Sequence, residues 1–157
     1  MASRRDLIQM TDAEVRTFLR THKTIIINSN GPGGYPHPMP MWFSVDDDAT
    51  VRMTTFRKSQ KVRNVQRDPR VSLLVEAGRE YSELQGVVIY GQARVVDELE
   101  EVKKTLRTIG GVGDAADPAM REAADRIISG TASKRVAILI RPEKVISWDH
   151  RKLSGRY

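Results

Sequence analysis

Three prolines at alternate positions constrain this chain more than any other feature. They fall in Pro36-His37-Pro38-Met39-Pro40-Met41-Trp42-Phe43-Ser44-Val45, which otherwise reads as a strand. Proline has no N–H to give to a ladder, and alternate residues of a strand face the same neighbour. The run therefore has one side that cannot donate hydrogen bonds. Such a strand belongs at a sheet edge, or against something other than another strand. Two readings follow: simple protection of an edge, or a flat ligand lying along the strand with Met41 and Trp42 near it.

The segments around this run predict a mainly β, α+β chain. Thr11-Asp12-Ala13-Glu14 has the spacing of a capping box, followed by Val15, Phe18 and Leu19 on one helical stripe. Thr24 to Asn28 is β-branched and reads as a buried strand, and Asn30-Gly31-Pro32-Gly33-Gly34 turns it into a hairpin. Asp46-Asp47-Asp48 is a hairpin loop, and further strands are expected over 51–56, 70–76, 84–96 and 134–140. Within the long strand Val87, Ile89 and Val95 suit an inward face, and Gly86 and Gly91 mark a close approach or a bulge. Arg141-Pro142-Glu143-Lys144 reads as a turn leading to Val145-Ile146-Ser147-Trp148. Helices are expected over 98–109 and from Asp117-Pro118 to Gly130. The tail from Asp149 to Tyr157 is polar and basic and is expected to fray unless it docks on a partner. The sum is a single domain over 1–157, six or so antiparallel strands with short covering helices. Strand patterning alone leaves barrel and sandwich open.

One stretch carries chemistry. Val51 to Phe56 leads into a basic turn, and Ser59 to Arg67 is a short amphipathic segment stopped by Asp68-Pro69. Between Arg57 and Arg70 stand six basic residues against one acid, nearly the whole formal surplus of +6. Ser59 is placed to cap the helix, and a helix start offers free N–H groups and partial positive charge, which suit a phosphate. Arg57, Lys58 and Lys61 add full charges there. A solvated basic face is the alternative.

Composition removes other chemistries. The chain has no cysteine and three scattered histidines, which excludes disulfides, thiolate catalysis and cysteine metal sites, makes a histidine-rich one unexpected, and favours a cytoplasmic protein. Apolar runs are far too short to span a membrane, and the first residues lack the apolar core of a secretory signal. The pI near 9.8 favours polyanionic partners. Nucleic acid is disfavoured by an aromatic content of 6% and the lack of a recognisable module.

Gly34-Tyr35-Pro36-His37 with Pro40-Met41-Trp42, Ser59-Gln60-Lys61-Val62-Arg63-Asn64, Arg67-Asp68-Pro69-Arg70-Val71 and the long strand Gly86 to Asp97 together resemble one family. It is the split β-barrel flavoproteins related to pyridoxamine 5′-phosphate oxidase. Within it the chain is most similar to the flavin/deazaflavin oxidoreductases, many of which use coenzyme F420. The resemblance implies a split β-barrel homodimer with cofactor sites at the interface. It implies that Lys61 binds the cofactor phosphate, that Thr54, Thr55, Phe56, Arg57 and Lys58 line the phosphate and side-chain path, and that Gln60 sits beside them. Pro40, Met41 and Trp42 would run beside the tricyclic ring, and Gln85, Gly86 and Trp148 would come from the second subunit. The implied activity is F420-dependent reduction of a small unsaturated or conjugated compound. The rivals are an FMN-dependent reductase or oxidase on the same fold and a non-catalytic cofactor-binding protein. Arg151 and Arg156 form no motif for a substrate phosphate, which argues against vitamin B6 oxidation. No triad, carboxylate pair or metal cluster is present, so no catalytic acid or base is named. A proton could come from Tyr35, His37, Tyr90 or solvent.

Overall fold

The structure is a computed structural model that describes residues 3–154; Arg156 lies outside them. Seven strands form one antiparallel sheet: β1 (Thr24–Asn30), β2 (Pro36–Trp42), β3 (Ser44–Val45), β4 (Val51–Phe56), β5 (Arg70–Ala77), β6 (Gln85–Val96) and β7 (Arg135–Asp149). Their order is β2-β1-β5-β6-β7-β4-β3. The sheet curls into a split barrel. Among the described residues five α-helices accompany it: α1 (Arg4–Ile8), α2 (Asp12–Thr21), α3 (Gln60–Arg67), α4 (Leu99–Ile109) and α5 (Pro118–Ala132).

Alternation sets the inside of the barrel. Ile25 and Ile27 on β1, Leu73 on β5, Ile89 on β6 and Ile138 and Ile140 on β7 are all at most 2% exposed and share one cluster. Each such side chain contributes about 1.5–3 kcal/mol on leaving water. Val87 and Ile89 face this core as their spacing predicts, and Val95 packs against it. A second, smaller cluster (Val96, Val102, Ala132 and Ala137) lies where α4 and α5 cover the outer face. Arg52 is held beneath α4 by Asp46 at 2.5 Å and by Glu101. The α2 capping box forms as expected, Thr11 and Glu14 satisfying each other's backbone N–H at 2.7 and 3.2 Å.

Four expectations need correction. The proline run is not one strand. It breaks at Phe43, whose side chain is buried in the core, so β2 pairs with β1 and only β3 pairs with β4. The stretch 141–144 is not a turn, because β7 runs unbroken from Arg135 to Asp149 and Glu143 is the extra residue of a bulge, with Gly91 opposite Pro142 and Tyr90 opposite Lys144. The bulge lies at Gly91, where an added Cβ would come within 2.4 Å of the Arg141 carbonyl oxygen. The tail is docked, not frayed, as far as Leu153: Asp149 is buried, and Lys152 donates to the Gln9 carbonyl at 2.8 Å and to Glu14 at 2.7 Å. Finally, α1 was not expected; a Ser3–Asp6 capping box starts it. No helix among the described residues is long and apolar enough to cross a membrane.

Candidate cofactor-binding site

At the corner where β4 passes into α3, a lysine is buried without a counter-ion. Lys61 is 7% exposed, and its ammonium donates to Thr55 Oγ1 at 3.0 Å. Thr55 Oγ1 also lies 3.2 Å from Ser59 Oγ. Among the described residues no carboxylate pairs with Lys61. Burial lowers its pKa below the ordinary lysine value, and the nearby Arg135 guanidinium lowers it further. A buried unpaired charge is costly unless something compensates it. Two hydroxyls, one ammonium and a helix start lie together at this corner, and these are the kinds of donor from which an anion accepts.

The helix is positioned by a residue of the same motif. Asn64 is fully buried; its amide donates to Ser29 Oγ at 3.0 Å, and its carbonyl oxygen accepts from Gln60 Nε2 at 2.8 Å. Asn64 thus pins α3 to β1 and fixes where Lys61 points. Ser59 occupies the capping position, yet its hydroxyl turns to Thr55 and makes no cap bond, contrary to the sequence expectation. The basic run is also less free than its charge suggests. Arg57 is clasped by Asp97 at 2.6–3.1 Å and donates to the Ser133 carbonyl, while Arg70 pairs with Asp68 at 2.7 Å and Arg67 reaches the Asn30 carbonyl. Lys58 and Arg63 line a groove of about 530 Å³ with Arg57, Val62, Ala93 and Asp97.

On the outer face of β4, sequence reasoning missed Arg135. It stands opposite Phe56 in the β4–β7 register, with its guanidinium 4.5 Å from the Phe56 ring centroid and 3.5 Å from Thr54 Oγ1. Nothing linear links positions 54–56 to 135; only the strand register does. Phe56 is 55% exposed and Trp42 71% exposed. Pro40 and Trp42 face outward, while Met41 packs against the core. Gln85, Gly86 and Trp148 meet one another, Gln85 donating to Asp149 at 3.2 Å and the indole lying where a Gly86 Cβ would be. They stand at the opposite end of β6 from Asp97, the partner of Arg57. At about 3.3 Å per residue that is roughly 35 Å along the strand. Of the groups considered as proton sources, Tyr35 is exposed at the β1–β2 turn, Tyr90 is exposed on β6, and His37 Nδ1 is buried without a partner.

Comparison with known proteins bears on the family and the fold. The sequence profile described as pyridoxamine 5′-phosphate oxidase matches residues 11–149. The solved structure of a conserved hypothetical protein from Mycobacterium tuberculosis is 33% identical, with a TM-score of 0.83 over 99% of this chain and 95% of that one. An F420 reductase matches at 20% identity and a TM-score of 0.60, over 83% of this chain and 94% of its own. An FAD-binding protein from Mesorhizobium loti matches at 17% identity and 0.59, over 88% and 92%. The last two likenesses are of fold alone. No curated protein matches the chain.

Proposed function

We propose a function from one premise: the chain belongs to the pyridoxamine 5′-phosphate oxidase family. Membership supports a flavin-type cofactor and an oxidoreductase on a split barrel. Our finer reading is an F420-dependent reductase that acts on a small unsaturated or conjugated acceptor. The observation that carries a phosphate-bearing cofactor is the buried Lys61 ammonium, with a hydroxyl for a partner and no acid among the described residues; the sequence resemblance favours the deazaflavin. A redox coenzyme with a phosphate in its side chain supplies the missing charge.

When bound, a reduced deazaflavin supplies two electrons as a hydride equivalent to an acceptor. The chain's part is to hold and align, and alignment of two reactants can lower a barrier by about 7–11 kcal/mol. Lys61, Thr55 and Ser59 would grip the phosphate. Arg135 would fix Phe56 and Thr54 on the adjoining face, and Pro40 and Trp42 would flank the ring. Gln85, Gly86 and Trp148 are too far along β6 to join the corner of their own subunit, which supports a homodimer in which each copy completes the other's site. We place the protein in the cytoplasm, in keeping with its cysteine-free composition.

FMN on the same corner is the second reading, since its phosphate would meet the same groups. Fluorescence titration with F420 and with FMN separates the two. Tighter binding of F420, with its reduced form consumed when quinones or enones are added, is the expected result. Preference for FMN selects the second reading, binding without turnover makes the protein a carrier, and no binding of either overturns the proposal.

A further inference from the structure

The β3–β4 hairpin stops after two residue pairs, and its register says where it would go next. Ser44 opposes Arg52 and Val45 opposes Val51. Continued in register, Trp42 would oppose Thr54 and Pro40 would oppose Phe56. In an antiparallel ladder each residue turns its N–H and C=O to the same neighbour, and successive residues alternate. Phe43 N–H bonds to the Lys23 carbonyl, so Met41, Met39 and His37 face β1, leaving Trp42, Pro40, Pro38 and Pro36 turned to the open side. On the other lip Arg57 N–H bonds to the Lys134 carbonyl, so Thr55 and Met53 face β7 while Phe56 and Thr54 face the opening.

A few Cα atoms of β2 and β4 come within 8 Å of each other, against about 4.7–4.9 Å for paired strands. The next pair, Trp42 with Thr54, has a donor on each strand and is still not made, so closing the hairpin depends on the pair that follows it. Pro40 has no N–H at the place where the next but one pair needs a donor for the Phe56 carbonyl. That carbonyl accepts from Ser59 N–H instead, at 3.0 Å, which starts the turn into α3.

We infer that Pro40 holds the seam between β2 and β4 open, so that the N–H groups of Thr54 and Phe56 serve acceptor atoms of a bound planar ligand instead of a neighbouring strand. This makes Pro40 a positioning residue. The ligand half of the inference rests on the proposed function; the open seam does not. Amide hydrogen exchange on the ligand-free full chain tests the seam directly. In Pro40→Ala the hairpin gains a donor, and exchange at Thr54 and Phe56 slows by at least about tenfold as the strands pair. Pro38→Ala is the control, because position 38 lies past the end of β4 in this register, and it leaves both amides unchanged. Unchanged exchange at Thr54 and Phe56 in Pro40→Ala overturns the inference, whatever the cofactor result. Titration of the same variants with F420 and FMN reads the second half: Pro40→Ala loses about tenfold or more in affinity and Pro38→Ala keeps it. Equal affinity in both variants, with the exchange slowed, overturns the ligand role alone.

Discussion

On the proposed reading Lys61 is a charge held for a bound phosphate, and this makes opposite predictions for binding and for stability. Lys61→Ala would remove that charge-assisted contact and is expected to weaken cofactor binding by roughly 1–3 kcal/mol in a fluorescence titration. Lys61→Met does the same to binding, yet it takes a lone buried cation out of the ligand-free fold. Its urea midpoint is expected to exceed that of the parent protein at neutral pH. The pH dependence has a definite sign. The folded pKa of Lys61 is lowered from 10.5, so between the folded value and 10.5 the unfolded chain binds more protons and stability rises with pH. The advantage of Lys61→Met therefore shrinks as pH climbs through that window and is largest below it. A stability difference that is flat or grows with pH would show that the ammonium is already compensated within the chain. The short helix that carries Lys61 was legible because Ser59 and Asn64 bracket it within one local motif, Ser59 at its N-cap and Asn64 within it. Arg135 was not, because it reaches Thr54 and Phe56 only through the β4–β7 register. The missing cap at Ser59 has the same origin: its hydroxyl turns to Thr55, a competitor that linear capping rules do not contain.

At the scale of elements, the most exacting contact is between β6 and β7. Gly86 opposes Trp148, and a Cβ at position 86 would lie 2.1 Å from Trp148 Cζ2. Gly86→Ala must push the indole off the strand, a small-to-large change expected to cost about 1–3 kcal/mol, read as a lower urea midpoint. In a Trp148→Ala background the same change is expected to be close to neutral, so the double-mutant cycle shows a coupling of similar size. Additive effects would mean that the glycine is needed for its backbone and not for the indole. A glycine that admits close approach was readable in the long strand; which residue approaches it was not. The bulge at Glu143 escaped because proline beside charged residues has the composition of a turn, and only pairing partners reveal that the strand continues through it. The break at Phe43 escaped because an aromatic residue in an apolar run reads as more strand, and only the pairing shows the chain changing neighbours there. The docked tail depended likewise on Gln9 and Glu14, more than 130 residues away in sequence.

For the molecule as a whole, the two halves of the expected site sit at opposite ends of β6, and that separation argues for a second copy more directly than any surface patch. Lys61 lies near the Asp97 end, Trp148 and Gln85 at the other. In a two-fold pair of the kind proposed, the contact between one copy's far end and the other's near end occurs twice, by symmetry. A Lys61→Ala chain and a Trp148→Ala chain then carry defects in different halves of each composite site. Each variant alone is expected to bind cofactor weakly. When the two are co-expressed and allowed to exchange subunits, half of the dimers are mixed, and each mixed dimer places both defects in one site and leaves the other intact. Recovery of about a quarter of the full-affinity sites follows from that counting, measured by titration at a fixed chain concentration. Sites built within one chain give no recovery at all, because every chain then carries a broken site of its own. Full affinity in Trp148→Ala alone would remove the indole from the site and leave the Lys61 corner to be completed by other residues.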